Sequence, residues 1–292
     1  MPKATVLIPT HNHYSTLPMT IASMKWQKEQ DFEIIIIGDG VTEAVRQVAK
    51  VCAEGDARIR FLDLPKGAHH GDLYRDLAIR QSLSENIFYL CDDDLFLPSH
   101  LSNLLSLLET HDFVQSRNGY IDLEQKIHIF PTDLSKSFYI DWHLKEPHRN
   151  AVSLTGTAHR KSTYLKLPIG WQDPPPHEWT DHFMWKKFFR LPGLRAATHN
   201  QMTALQLPTS MERESMGLLE RRTELQYWYE RFSNPEAEPK FQAEVVQASM
   251  DELNYYYAIT KNWEIDYLAL EATNRDLENQ KAELGLKPPN QG

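Results

Sequence analysis

Short apolar runs alternate with amphipathic segments up to about residue 111 of the chain. The runs are rich in β-branched residues and too short for buried helices, which predicts the strands 5–8, 33–37, 59–62 and 87–90. The segments between them have helical spacing, which predicts the helices 15–30, 42–53 and 73–84. Because strand and helix alternate in this rhythm, we expect an α/β fold with a mainly parallel, Rossmann-like sheet flanked by helices.

Ligands of such sheets bind beyond the carboxyl ends of the strands. The loops to search for a site are therefore 9–13, 38–43, 65–72 and 92–98. Four histidines lie in these loops and are candidates for contacts with a ligand: His11, His13, His69 and His70.

The remainder of the chain is less regular. It predicts a hairpin from 120–123 and 127–130, a helix over 179–190 and short strands at 195–198 and 203–207. Residues 233–239 have the composition of a linker, and 241–284 contain neither Gly nor Pro. The last stretch therefore predicts a helical extension of one or two long helices, assigned to 240–285.

Composition narrows the classes of function. Lys and Arg total 31 against 40 Asp and Glu, so the net charge of −9 argues against a nucleic-acid partner. Cys52 and Cys91 cannot form a disulfide scaffold or a four-ligand zinc site, and we expect buried free thiols. The apolar run at 4–9 is too short for a signal peptide, and no stretch approaches the roughly 18 apolar residues of a membrane span. We expect a soluble, cytoplasmic protein.

Three consecutive carboxylates, Asp92, Asp93 and Asp94, follow the strand that ends near residue 90. Such a cluster stays ionised at low cost only beside a cation. Alternation along an extended chain would send Asp92 and Asp94 to one side, where both could reach Mg²⁺ or Mn²⁺. An acidic helix N-terminus is the alternative, but Pro98 and Ser99 mark the next helix start several residues later.

The segment Gly38-Asp39-Gly40 follows a strand and precedes a helix, as in a dinucleotide-binding fingerprint. Glu43 stands where the third glycine would be, which argues against that class. Asp39 at the strand's edge has acceptor oxygens for a base N–H or a ribose hydroxyl. An aspartate that merely serves the turn remains the alternative.

Together these segments resemble the family 2 glycosyltransferases of the GT-A fold. Val6-Leu-Ile-Pro-Thr-His-Asn12 is similar to that family's strand followed by P-T-x-N, and residues 35–42 to its V-V-D-D-G-S-T. Residues 89–98, Tyr-Leu-Cys-Asp-Asp-Asp-Leu-Phe-Leu-Pro, resemble its F-L-D-x-D segment and downstream proline. Order and spacing agree over residues 4–110. Three places differ from the family pattern. Gly38 replaces the first Asp of the D-D-G pair, Val41 replaces Ser, and Arg75-Asp76 is found where the family often has Arg-Asn.

The resemblance implies a nucleotide-sugar-binding half at 1–111 and an acceptor half at 112–232, followed by the helical extension. It implies that Asp39 contacts the base, that Arg75 lies near the diphosphate or seats Asp92, and that Asp92 holds ribose or sugar. Asp94 would hold the metal together with Asp92. The residues implied in nucleotide-sugar binding are Pro9, Thr10, Asn12, Asp39, Arg75, Asp92 and Asp93.

An inverting transfer also needs a general base for the acceptor hydroxyl. In the family this base is an acid that opens a helix after the acceptor loop, and Thr180-Asp181 matches that place with its first acid replaced. We expect Asp181 to be the base. Glu178 is the alternative, and an acid that only complements the helix dipole is another.

The expected function is therefore transfer of a sugar from a nucleotide-diphosphate sugar, UDP-linked by preference, to a hydroxyl acceptor with Mn²⁺ or Mg²⁺. A retaining transferase and a catalytically silent sugar-nucleotide or polysaccharide-binding module are the alternatives. His199 is a candidate extra metal ligand or a solvated loop residue. Trp171, Trp179 and Trp185 flank the acceptor loop and either stack on sugars or pack in the core. We expect self-packing of the helical extension with some role in homodimer contacts.

Overall fold

The computed structural model of the protein describes residues 1–145, 149–208 and 213–283. It divides into two compact units, Met1–Val245 and Val246–Gly292. The first unit contains every strand and all of the motif segments discussed above. The second unit is the greater part of one long helix.

A seven-stranded sheet forms the centre of the first unit. The strands along the described chain are β1 (Ala4–Thr10), β2 (Phe32–Asp39), β3 (Ile59–Leu64), β4 (Asn86–Tyr89), β5 (Leu95–Phe96), β6 (Phe113–Gln115), β7 (Gly119–Ile121), β8 (Ile127–Ile129), β9 (Thr157–Arg160), β10 (Ala196–Thr198) and β11 (Ala204–Leu205). In the large sheet their order is β10-β6-β9-β4-β1-β2-β3, while β5 pairs with β11 and β7 with β8 in two small sheets. The predicted hairpin is therefore β7–β8.

The strands β1 and β2 show why the pattern of the first 111 residues predicts the fold. Successive side chains of a strand point to opposite faces of the sheet. Val6 and Ile34 lie in the core on one face, and Leu7 and Ile35 lie in the core on the other. Both faces are covered, so these strands are apolar throughout, as buried parallel strands are. β1 pairs in parallel with β2 and β4, and β2 with β3.

The strand β9 departs from the parallel arrangement and lies antiparallel to both β4 and β6. The sequence pattern did not predict this strand because two of its three buried positions are polar. Thr157 and His159 are 1% and 0% exposed, and the His159 ring lies 2.7 Å from the Tyr89 hydroxyl. The sheet remains mainly parallel, so the predicted fold class is confirmed.

Helices cover the faces of the sheet. Over the described residues they are α1 (Leu17–Ser23), α2 (Glu43–Gly55), α3 (Asp72–Gln81), α4 (His100–Leu108), α5 (Ser137–Leu144), α6 (Lys161–Tyr164), α7 (Thr180–Phe189), α8 (Leu218–Phe232) and α9 (Ala237–Glu283), with a 3₁₀ turn at Met24–Trp26. The predicted helix 15–30 is much shorter than expected. Lys28 N–H donates to the Pro98 carbonyl at 2.8 Å instead of to a helical carbonyl, so the chain leaves the helix there.

The long helix α9 begins at Ala237, inside the segment predicted as a linker. Pro239 lies in its first turn, where a proline is tolerated. Phe241 and Val245 are buried in the core of the first unit. The predicted end of this helix, beyond residue 283, lies outside the described residues. None of the described helices combines the length and apolar character needed to cross a membrane.

Candidate functional site

A cavity of about 310 Å³ lies at the carboxyl ends of β1, β2 and β4. We call it the donor cavity; it is lined by Pro9, Thr10, His11, Asn12, His13, Asp39, Lys66, His69, His70, Arg75, Cys91, Asp92, Asp93 and Leu154. Every residue expected to bind a nucleotide sugar is among them, although they come from four separate segments. The parallel strands bring these segments to one edge of the sheet, as the topology requires.

Asp39 lies at the end of β2 with its carboxylate buried in the loop that follows β3. One carboxylate oxygen accepts the Gly67 N–H at 2.6 Å and the other accepts Lys66 Nζ at 2.5 Å. Gly71 closes the loop in a left-handed conformation with φ of 64°, and a Cβ there would lie 2.7 Å from the Asp39 Cγ. The loop is therefore shaped around this carboxylate, which keeps further lone pairs for a ligand N–H or O–H.

Arg75 reaches the donor cavity from α3. Its guanidinium donates to Asp72 at 2.6 Å and to the His70 carbonyl at 3.1 Å, and it lies 5.0 Å from the Trp171 ring centre. Burial raises the pKa of Asp72 in spite of the nearby Arg75 charge. Among the described residues the Arg75 Nε has no hydrogen-bond partner although it is buried. An unsatisfied cationic donor in a cavity is suited to an anionic ligand.

His13, Asp92 and Asp93 form the group of possible metal ligands that the described residues contain, with one ligand atom of each within 4.8 Å of the others. His13 Nδ1 lies 2.8 Å from an Asp92 oxygen. Arg221 from α8 pairs with Asp93 and lies 3.0 Å from His13 Nε2. Because a guanidinium only donates, Nε2 is the acceptor and the ring proton is on Nδ1, directed to Asp92.

The carboxylate of Asp94 lies apart from that group. Its two oxygens accept the Thr155 hydroxyl at 2.5 Å and the Leu207 N–H at 2.9 Å. Asp92 and Asp94 do not lie on an extended chain as expected, because β4 ends at Tyr89 and the Asp94 N–H donates to the Cys91 carbonyl. The role of Asp94 as a metal ligand stays a prediction. Burial and the charge of Asp93 raise the pKa of Asp94 to about 7.

Asp181 stands in the first turn of α7 and lines a second cavity of about 380 Å³, which we call the acid cavity. Asp93 and Asp94 line the same cavity, and Asp93 also lines the donor cavity. Burial raises the pKa of Asp181 to about 6, against the lowering effect of hydrogen bonds from the His182 N–H and the Asn150 side chain. A carboxylate with this pKa is a competent proton acceptor near neutral pH.

The alternative base Glu178 is held elsewhere. Its carboxylate forms an ion pair with Lys186 at 2.7 Å, in which the lysine side chain is 4% exposed. His199 accepts the Gln201 N–H at 3.2 Å and lies outside the group of described metal-ligand candidates. Trp171 and Trp185 are core residues, whereas Trp179 is 55% exposed.

The sequence did not predict the contacts of Arg221 or the partial exposure of the two cysteines. Arg221 lies 128 residues beyond Asp93 in a helix without a recognisable motif, so no sequence signal marked it. The thiols of Cys52 and Cys91 are free, as expected, but both are only partly buried. Cys91 lines both cavities.

Comparison with known proteins agrees with this arrangement. The sequence model described as glycosyl transferase family 2 matches residues 5–161, more than half of the chain. The chain belongs to glycosyl transferase family 2. The match covers β1 to β9 and thus the loops of the donor cavity, and it confirms the resemblance of the motifs.

Curated relatives in this family match part of the chain. An uncharacterized glycosyltransferase of Rickettsia bellii is 31% identical over 124 residues, which is 42% of this chain and 18% of the relative. The poly(ribitol-phosphate) beta-N-acetylglucosaminyltransferase TarP of Staphylococcus aureus is 31% identical over 106 residues, 36% of this chain and 32% of TarP. The chain spans about a fifth of the length of the Rickettsia relatives it matches.

Two solved structures have a similar fold. S. aureus TarS 1–349 in complex with UDP-GlcNAc superposes with a TM-score of 0.57 and 15% identity, covering 74% of this chain and 61% of TarS 1–349. The mannosyltransferase PcManGT of Pyrobaculum calidifontis, in complex with GDP-Man and Mn²⁺, gives a TM-score of 0.52 and 15% identity, covering 85% and 75%. The GT-A fold expected from the sequence is therefore confirmed.

Proposed function

We propose that the protein transfers a sugar from a nucleoside-diphosphate sugar to an acceptor hydroxyl with inversion at the anomeric carbon. The observation that carries the proposal is the adjacency of the two cavities. The donor cavity contains the residues expected to bind the donor, and the acid cavity beside it contains Asp181. Asp93 lines both, so a donor seated in the first cavity would present its sugar towards the second.

The donor cavity suits a nucleoside diphosphate. Asp39 would accept from the base, with Pro9, Thr10 and Asn12 around it, and Arg75 would contact the phosphates. A UDP-sugar is favoured because TarS, with the same fold, is known in complex with UDP-GlcNAc. The GDP-Man complex of PcManGT shows that this fold also accepts another nucleotide. The nucleotide preference of this protein therefore has to be measured.

The group of His13, Asp92 and Asp93 suits a divalent cation. Two carboxylates and one imidazole within 4.8 Å of one another form a donor set typical of Mn²⁺, with phosphate oxygens as further ligands. PcManGT is known with Mn²⁺. When bound, Mn²⁺ or Mg²⁺ would stabilise negative charge on the leaving diphosphate.

Asp181 would act as the general base of an inverting transfer. The acceptor oxygen attacks the anomeric carbon from the face opposite the diphosphate, and a carbon–oxygen bond forms while the bond from carbon to the phosphate oxygen breaks. The acceptor proton passes to the Asp181 carboxylate, and the nucleoside diphosphate leaves with the electron pair. A pKa of about 6 leaves this carboxylate ionised and still basic at pH 7.

Two alternatives remain to be separated from this function. A retaining transferase would use the same donor cavity without needing a base at Asp181. A silent binding module would bind the sugar nucleotide without turnover, but the buried carboxylate of Asp181 has a pKa suited to proton transfer, which favours an enzyme.

The experiment that tests the donor assignment is a thermal-shift screen of UDP-, GDP-, dTDP- and CMP-sugars with Mn²⁺. A ligand at 100 times its dissociation constant adds about 2.7 kcal/mol to the free energy of unfolding. We expect one nucleotide class to raise the melting temperature in the wild type and much less in Asp39→Ala. No shift with any of the four classes would contradict a nucleotide-sugar donor.

The second unit is proposed to pair with a second copy of the chain. Five apolar side chains of α9 near 3.5-residue spacing are each more than half exposed, namely Leu253, Tyr256, Trp263, Tyr267 and Leu270. A helix of this length is stable in water mainly when such a stripe is covered. A homodimer through α9 would cover it, and we place the protein in the cytoplasm as part of the same proposal.

A further inference from the structure

We propose that Arg221 occupies the place of the divalent cation in the ligand-free protein and must leave Asp93 before the cation binds. The inference rests on the cation site of the proposed function. It assigns to Arg221 a role that neither the motifs nor the family match provides, since α8 begins after the matched residues 5–161.

The geometry of the guanidinium supports this exchange. Arg221 donates to His13 Nε2 at 3.0 Å and pairs with the Asp93 carboxylate, so it bridges two of the three residues in the metal-ligand group. Both atoms are lone-pair donors of the kind a metal needs. The same lone pairs cannot bind a cation and accept hydrogen bonds from the guanidinium at the same time. Binding of the cation and binding of Arg221 therefore exclude one another.

Charge supports the same conclusion. The Asp93 side chain is 12% exposed and the Arg221 side chain 9%, so the pair is largely shielded from water. A buried carboxylate pair without a cation is costly, and the guanidinium supplies one positive charge to it. A divalent cation at the same place would repel that charge at short range, so the side chain has to move when the cation enters.

The helix that carries Arg221 is anchored independently of this contact. Leu225, Trp228 and Phe232 of α8 are buried in the core of the first unit, and the Leu218 carbonyl accepts the Ser15 hydroxyl at 3.2 Å. Release of Arg221 therefore requires rotation of one long side chain and leaves α8 in place. The adjacent Arg222 is exposed on the same helix and offers a matched control of equal charge.

The test measures binding of Mn²⁺ alone, followed by the spin-resonance signal of free Mn²⁺, in wild type, Arg221→Gln and Arg222→Gln. We expect Arg221→Gln to bind Mn²⁺ about tenfold more tightly than wild type, because a charge-assisted contact no longer competes. Arg222→Gln should stay within about twofold of wild type, since an exposed charge is well screened. Unchanged or weaker binding by Arg221→Gln, or no binding by any of the three, would overturn the inference.

A measurement on the wild type covers the case in which Arg221→Gln does not fold. Phenylglyoxal labels accessible arginines, and mass spectrometry reports the extent at each site. We expect Mn²⁺ to increase the labelling of Arg221 at least severalfold and to leave Arg222 unchanged; equal labelling of Arg221 with and without Mn²⁺ would contradict the exchange. These readouts do not involve sugar transfer, so their failure leaves the donor screen and the transferase proposal standing.

Discussion

The donor cavity and the acid cavity adjoin one another, yet Asp181 of the acid cavity is held differently from the carboxylates of the donor cavity. In the donor cavity Asp39, Asp92 and Asp93 each contact a cationic or ring N–H donor, from Lys66, His13 and Arg221 respectively. In the acid cavity the contacts of Asp181 are a backbone N–H and an amide side chain, and burial raises its pKa to about 6.

This difference indicates two kinds of chemistry. Carboxylates that contact cationic groups are held in fixed positions, which suits recognition of a ligand. A carboxylate that is buried beside neutral donors is more basic, which suits proton transfer. The comparison therefore predicts that changes in the donor cavity weaken binding, whereas changes at Asp181 slow turnover with little effect on binding.

The largest expected effect is at Asp181. Asp181→Asn keeps the shape of the side chain and removes the base, so kcat should fall roughly 100- to 10,000-fold. Affinity for the nucleoside diphosphate, measured by calorimetry, should stay within about twofold of wild type. Glu178→Gln is the matched control, because Glu178 is the other candidate base, and its kcat should change far less.

The same carboxyl predicts the pH dependence of turnover. The base has to be ionised, so activity is lost as the pH falls through its pKa, and kcat should be half-maximal near pH 6. If Glu178→Gln lost more activity than Asp181→Asn, the assignment of the base would be wrong.

The next largest effect concerns the cation. Asp93→Asn should weaken Mn²⁺-dependent donor binding by about tenfold or more, since a carboxylate ligand is lost. Asp94→Asn should instead lower the melting temperature, because Asp94 accepts hydrogen bonds from Thr155 and Leu207 inside the protein. Calorimetry with and without Mn²⁺ separates the two. Loss of Mn²⁺ dependence in Asp94→Asn alone would identify Asp94 as the ligand, as the sequence predicts.

A comparable effect on binding is expected at Asp39, the residue proposed to contact the nucleotide base. Asp39→Ala should weaken nucleoside-diphosphate binding by roughly 1–3 kcal/mol, the cost of leaving a buried donor without its acceptor. Asp63→Ala is the control, because Asp63 also lies near a strand end but pairs with Arg46 at the surface. Equal affinities of the two variants in calorimetry would make Asp39 a residue of the turn only.

The smallest effect on catalysis is expected from the second unit. A chain ending after Val245 keeps Phe241 and Val245 in the core, so the turnover of the first unit should stay within about twofold of the full chain. Sedimentation should show a monomer if α9 forms the dimer contact. A chain ending after Pro239 loses Phe241 and Val245 as well, so we expect it to aggregate. A dimer that survives removal of the second unit would exclude α9 as the interface.

Sequence reasoning predicted the strands and loops of the donor cavity well because their signals are local. The apolar runs of β1, β2 and β4 are buried on both faces, and the loops after them carry the polar motifs. It did not predict β9, because two of the three buried positions of this strand, Thr157 and His159, are polar and do not contribute to a hydrophobic pattern. The His159 ring contacts the Tyr89 hydroxyl, a tertiary contact that the local sequence does not reveal.

The same limit applies to the site. A turn at Cys91, which the strand pattern does not show, separates the directions of Asp92 and Asp94. Arg221 reaches His13 and Asp93 because α8 packs against α1 and the 3₁₀ turn that follows it, where Tyr229 contacts Trp26. The three-dimensional path of the chain, rather than its local pattern, decides which carboxylate meets which cation.

An inverting transfer with Asp181 as base determines the anomeric configuration of the first product formed. Proton magnetic resonance of that product, recorded before the sugar equilibrates, shows whether the linkage is inverted relative to the donor. We predict inversion in the wild type. Retention of the donor's configuration would contradict the account, because a retaining transfer does not use a base on the opposite face of the sugar.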